Sequence, residues 1–102
     1  MPQGQSAIKE RQRTDLKEPR RFKVIMHNDD FTTMEFVVRI LKEIFFMSEE
    51  KAIAVTMQIH KTDKGVAGVY TYDIAMSKMR KATRLARENN FPLRLTVEPD
   101  DE

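Results

Sequence analysis

The side chains of this chain best equipped for chemistry stand in one short run and one distant position. Asn28, Asp29, Asp30, Thr32 and Thr33 crowd together, and His60, one of two histidines, lies far downstream. An amide oxygen, a carboxylate and a neutral imidazole nitrogen are three hydrogen-bond acceptors. A protonated α-amino group, with a pKa near 8, offers three donors. If the turn holding Asn28 and Asp30 lies beside the end of the helix holding His60, those acceptors converge. They would then meet at the mouth of a slot lined by Met34, Val37, Ile59 and Leu93. Such a slot suits a free amino terminus whose first side chain is large and apolar. The same run also reads as turn chemistry, because Asn and Asp bond nearby backbone and Thr32 with Glu35 three residues on makes a capping box.

Other chemistries fit less well. His27, Asp29, Asp30 and His60 are metal-ligand types, but an EF-hand register from Asn28 needs Gly at Thr33 and a carboxylate at Arg39. No metal and no cofactor is expected. Asp30 and His60 could pair as acid and base, yet no serine elbow or phosphate loop accompanies them, and Gly4, Gly65 and Gly68 make no nucleotide turn. With no cysteine there is no thiolate nucleophile or disulfide. Enzyme activity is therefore not expected.

The charge pattern supports a second reading. Net charge is only +2, but residues 1–23 hold seven basic side chains against Glu10, Asp15 and Glu18, and the last five residues hold four acids. The region from Asp73 to Glu88 carries Lys78, Arg80, Lys81, Arg84 and Arg87. A small nucleic-acid- or ribosome-associated protein could use Lys78, Arg80, Lys81 and Arg84 against phosphates. The exposed aromatic residues of a single-strand platform are missing there.

The elements that must position these groups follow from apolar periodicity. Residues 1–20 are polar and charged and read as a disordered extension, residues 21–98 as the domain, and residues 99–102 as an acidic tail. Phe22 to His27 is a strand, with Phe22, Val24 and Met26 on one face and Lys23, Ile25 and His27 on the other. Phe36, Val37, Ile40, Leu41, Ile44 and Phe45 share one broad helix face. Ser48 caps a second helix with Glu49 and Glu50 in its first turn; Ala52, Val55 and Ile59 face inward with Ile53 and Met57 beside them. Val66 to Tyr70 is a short buried strand. A third helix from Thr71 or Asp73 turns Ile74, Ala75, Met79, Ala82, Leu85 and Ala86 inward and its basic residues to water. Asn89, Asn90, Phe91 and Pro92 end it, and Leu93, Leu95 and Val97 alternate along a last strand. The fold class is α+β, ordered β-α-α-β-α-β, with three helices on a small, mostly antiparallel three-stranded sheet. No run is apolar enough to span a bilayer or to act as a secretion signal, so a cytosolic location is expected.

These residues resemble the ClpS family of bacterial and plastid proteolytic adaptors. The likeness runs from about Phe22 to Val97: Lys23-Val24-Ile25, Asn28-Asp29-Asp30-Phe31-Thr32, Met34-Glu35-Phe36-Val37, Ile59-His60, Gly68-Val69-Tyr70-Thr71, Ala86-Arg87-Glu88-Asn89 and Phe91-Pro92-Leu93. The resemblance implies a monomeric adaptor that captures N-degron substrates beginning with Leu, Phe, Tyr or Trp. It would hand them to a Clp AAA+ ATPase of the ClpA or ClpC type, docking on that partner's N-terminal domain. Asn28, Asp30 and His60 would hold the α-amino group with Thr32 beside them. Met34 would guard the entrance against β-branched side chains, and Val37, Thr56, Ile59 and Leu93 would line the pocket. Asp73, Ser77 and Lys78 would dock the ATPase, and the extension before Phe22 would influence delivery. Three positions depart from the family pattern: Thr33 stands where proline is common, Thr56 where the residue is methionine-like, and Met76 where Glu is frequent. Thr56 leaves the order of preference among first residues open.

Overall fold

The computed structural model describes residues 19–101. The extension expected over residues 1–20 lies, but for Pro19 and Arg20, outside them. The order is β1 (Phe22–His27), α1 (Met34–Glu43), α2 (Glu49–Thr62), β2 (Lys64–Tyr70), α3 (Tyr72–Glu88) and β3 (Arg94–Pro99). The three strands form one antiparallel sheet in the order β2-β1-β3. The expected α+β architecture is what the chain adopts.

β1 is the central strand, hydrogen-bonded along both edges, and its middle residues Val24, Ile25 and Met26 are buried. Val24 and Met26 enter the main core, as their alternation predicts. Ile25, on the face expected to be more open, is buried too, between its cross-strand partners Val66 and Thr96. β2, by contrast, is an edge strand and not the wholly buried run expected: Gly65 and Ala67 turn inward while Val66 stays exposed. Val24 pairs with Gly68 and Ile25 with Val66, so Ala67 is the extra residue of a bulge.

α1 supplies most of the core. Phe36, Val37, Ile40 and Leu41 are buried within it, and Ile44 and Phe45 are buried just past its end. Six such side chains at roughly 1.5 to 3 kcal/mol each make this segment the main apolar contributor. Phe46 then adopts a φ of 59°, and Ser48 caps α2 by accepting from Lys51 N–H at 3.2 Å. In α2 the buried residues are Ala52, Thr56 and Ile59; Ile53 and Met57, expected beside the core face, are exposed.

α3 lies on the sheet through a stripe of small residues. Ala75, Ala82 and Ala86 are completely buried, while Met79 and Leu85 pack along its margins. Ile74 was expected inward and is half exposed. At about 100° per residue it falls well off the alanine line, at the helix's open flank. Arg87 is exposed as expected, and its Nη1 also donates to the carbonyls of Phe91 and Leu93 at 3.0 and 2.8 Å, fastening the segment that leads into β3. Asn90 takes the left-handed conformation that ends α3, with a φ of 65°. At the other side of the sheet, Asp100 N–H donates to Arg21 O and Arg20 pairs with Asp101, so the two described ends meet.

Candidate functional site

The condition left open by the sequence is met by backbone. Asn28 N–H donates to the carbonyl of Asp63 at 2.8 Å, and His27 pairs with Lys64 in the sheet. Asp63 is the left-handed cap of α2, with a φ of 76°, and its own N–H closes on Ile59 O. The turn after β1 is thus stitched to the end of the helix whose last turn carries His60. Gly65 assists this approach. A Cβ there would fall 2.9 Å from Ile59 Cγ1, so only glycine lets α2 settle this close to β2 without displacing Ile59.

Inside the turn, Asp29 is the organising residue. Its carboxylate accepts from the N–H groups of Phe31 and Thr32 at 2.8 and 2.7 Å and from the Thr32 hydroxyl at 2.8 Å. Burial alone would raise its pKa, but those backbone and hydroxyl donors hold the carboxyl below its ordinary value. Thr32 therefore does not cap α1, and the expected capping box with Glu35 is not formed. Thr33 caps instead, its hydroxyl accepting from Phe36 N–H at 3.2 Å. Two adjacent threonines made both registers possible in sequence, and Asp29 decides between them by engaging Thr32. The Asp-x-x-Thr spacing of a side-chain-closed turn was the available signal.

A cleft of about 280 Å³ opens between this turn and α2. Asn28, Asp29, Asp30, Thr32 and His60 give it a polar side; Met34, Val37, Thr56 and Ile59 give it an apolar one. Among the described residues, Asn28, Asp30 and His60 make no side-chain hydrogen bond or ion pair. Polar groups gathered round a cavity without internal partners are equipped to receive donors from a ligand. Leu93 is not among the lining residues: it is 1% exposed and belongs to the core behind them. Thr56 is buried and its hydroxyl donates to Ala52 O at 2.7 Å, so towards the cleft it retains only acceptor capacity and a methyl group.

A second groove, of about 340 Å³, shares no lining residue with the first. It brings Asp73, Ser77 and Lys78 together with Phe46, Ile74 and Lys81. Lys78 is only partly exposed, and not fully solvated as its place in the helix pattern suggested. Its Nζ donates to Ile44 O at 2.7 Å and lies 4.5 Å from the Phe46 ring centroid and 5.3 Å from that of Tyr70. Burial, with Lys81 nearby, draws its pKa below the usual lysine value. The basic face of α3 thereby loses one of the four cations that a phosphate-binding reading would use. Sequence reasoning did not single out Phe46, which takes a left-handed φ and stays exposed beside this lysine.

Among the described residues, no group of three or more His, Asp or Glu side chains gathers to hold a metal ion. No described helix is long and apolar enough to cross a membrane.

Comparison with known proteins shows which family the fold and sequence are similar to. The family model described as ATP-dependent Clp protease adaptor protein ClpS matches residues 17–96. The chain is similar to the ATP-dependent Clp protease adapter protein ClpS of Myxococcus xanthus, 49% identical over 86 residues, covering 84% of this chain and 80% of that one. It is 45% identical over 87 residues to the protein of the same name from Clostridium acetobutylicum, covering 85% and 86% respectively. Among solved structures, Agrobacterium tumefaciens ClpS2 bound to L-phenylalaninamide superposes with a TM-score of 0.78 at 42% identity, over 81% of this chain and all of that one.

Proposed function

The chain belongs to the ClpS family of ATP-dependent Clp protease adaptors, and from that premise we propose that its cleft captures the free amino terminus of N-degron substrates. Asp30 supplies the charge that balances the α-ammonium group, and Asn28 and His60 accept its remaining hydrogens, with Thr32 beside them. The first side chain enters between Val37, Thr56 and Ile59. Leu93 acts from behind, as core packing under that wall. Met34 overhangs the entrance and disfavours side chains branched at Cβ. Leu, Phe, Tyr and Trp are the first residues that fit this chemistry. The ligand described for the Agrobacterium relative, a phenylalanine derivative with a free amine, is of this class.

The observation that carries this reading is the convergence of Asn28, Asp30 and His60, without side-chain partners among the described residues, on one cleft with an apolar wall. The protein then acts without catalysis of its own, as a cytosolic monomer. Peptide-bond cleavage and ATP hydrolysis belong to its partners. Asp73, Ser77 and Lys78, in the separate groove beside α3, dock a Clp AAA+ ATPase of the ClpA or ClpC type through that partner's N-terminal domain. Disjoint surfaces allow substrate and ATPase to be held at once.

Fluorescence anisotropy with a short peptide beginning with free Phe tests the reading. The free peptide should bind, and its N-acetylated copy should lose at least about thirtyfold in affinity, since the acceptors would face an amide that cannot satisfy them. Equal affinity for the two peptides would refute it.

A further inference from the structure

Next to the amine-lined cleft lies a larger apolar groove for which the capture of a first residue has no use. It is about 400 Å³, formed by the outward faces of α1 and α2, and lined by Met34, Glu35, Val38, Ile53, Thr56 and Met57. Met34, Ile53 and Met57 are 40%, 46% and 40% exposed, three of eight large apolar side chains left in water among the described residues. Ile53 and Met57 are one turn apart on α2, as Met34 and Val38 are on α1, so the groove has an apolar edge on each side. Methionines on two sides suit a surface that adapts to differing side chains.

The groove adjoins the cleft, since Met34 and Thr56 line both. Resting on the cleft reading above, we propose that this α1–α2 groove is a second subsite, which takes an apolar side chain from the second or third residue of the captured peptide. The occupant follows from chain geometry. Successive Cα atoms are 3.8 Å apart and side chains of an extended chain alternate in direction. A peptide whose first side chain fills the cleft therefore carries its next few residues across the shared wall. Glu35, the one charged side chain lining the groove among the described residues, makes an acidic residue there unfavourable. The adaptor would accordingly read the start of a substrate as a short pattern, and first residues of equal quality would be captured unequally.

The experiment is an anisotropy series on the full chain with peptides that begin with free Phe and carry either Leu or Ser at position two, three or six. Leucine at position two or three should tighten binding by about fivefold over serine, and leucine at position six should do nothing. In the double variant Ile53→Ser, Met57→Ser the gain should vanish while the all-serine peptide keeps its parental affinity. No gain at either position overturns the subsite. So does a gain that survives in the double variant, or a variant that weakens every peptide alike. The N-acetylated peptides keep the two ideas apart: if acetylation costs nothing, the cleft reading itself has failed and the subsite falls with it. If acetylation abolishes binding but leucine has no effect, only the subsite fails.

Discussion

The two proposed interaction surfaces differ in what their polar groups are doing before any partner arrives. In the cleft at the end of α2, Asn28, Asp30 and His60 have no side-chain partners among the described residues, while Asp29 alone is engaged in holding the turn. In the groove beside α3, the central cation is already committed: Lys78 is bonded to Ile44 O and covered by Phe46, which remains 78% exposed on its other side. One surface keeps its electrostatics for a ligand; the other uses them to present an aromatic ring. Exposed acceptors without protein partners are free to exchange water for a ligand's donors, whereas a lysine already bonded beneath an exposed phenyl group calls for apolar contact.

That contrast can be broken by substitution. Asp30→Ala should produce the largest effect, a loss of at least about thirtyfold in affinity for a free-Phe peptide by anisotropy, with an unchanged circular dichroism spectrum. Lys78→Ala should leave the same affinity within about twofold; comparable losses in both variants would end the division of labour. In turn, Lys78→Ala should weaken capture by the Clp ATPase about tenfold in a pull-down titration and cost about 1 to 2 kcal/mol in urea unfolding. If ATPase capture is unaffected, the groove beside α3 is not the docking surface. Met34→Ala sharpens the description of the cleft: peptides beginning with Val or Ile should gain about tenfold relative to Phe, and their continued exclusion would move the gate elsewhere.

The last prediction concerns stability alone, at the turn itself. Asp29→Ala removes three hydrogen bonds and should cost about 1 to 2 kcal/mol near pH 7. The Asp29 carboxyl has a lowered pKa in the folded chain, so the stability it contributes is fully present above its ordinary value of 3.8 and is lost as pH falls through the folded value. The gap between parent and variant should therefore narrow in urea titrations below about pH 4. A gap independent of pH would assign the loss to packing instead.

Much of this architecture was legible in the sequence because apolar spacing fixes helix and strand faces locally. Phe36 to Phe45, the Ser48 cap and the left-handed Asn90 all followed from neighbours a few positions away. The convergence of Asn28 and Asp30 with His60 was stated only conditionally, because the link that produces it, Asn28 N–H to Asp63 O, joins residues far apart in the chain. What was misread has the same origin. Thr32 and Thr33 are equivalent as caps until Asp29 takes one of them. Lys78 looks like a solvated helix residue until Ile44 and Phe46 are brought beneath it. Leu93 stands one residue ahead of β3, and its depth depends on how Arg87 fastens the preceding loop. Ile53 and Met57 looked like core because periodicity cannot say how wide the covered face of a helix is.

The meeting of the described ends, at Arg21 O with Asp100 N–H and at Arg20 with Asp101, has a practical consequence. Any affinity tag or fluorophore attached behind residue 101 would be tethered at the root of whatever precedes residue 19, and could obstruct it. Reporters of delivery belong on the opposite flank. The same adjacency makes the domain a candidate for circular permutation, since a short linker beside the paired ends of β1 and β3 would join the two described ends without straining a strand.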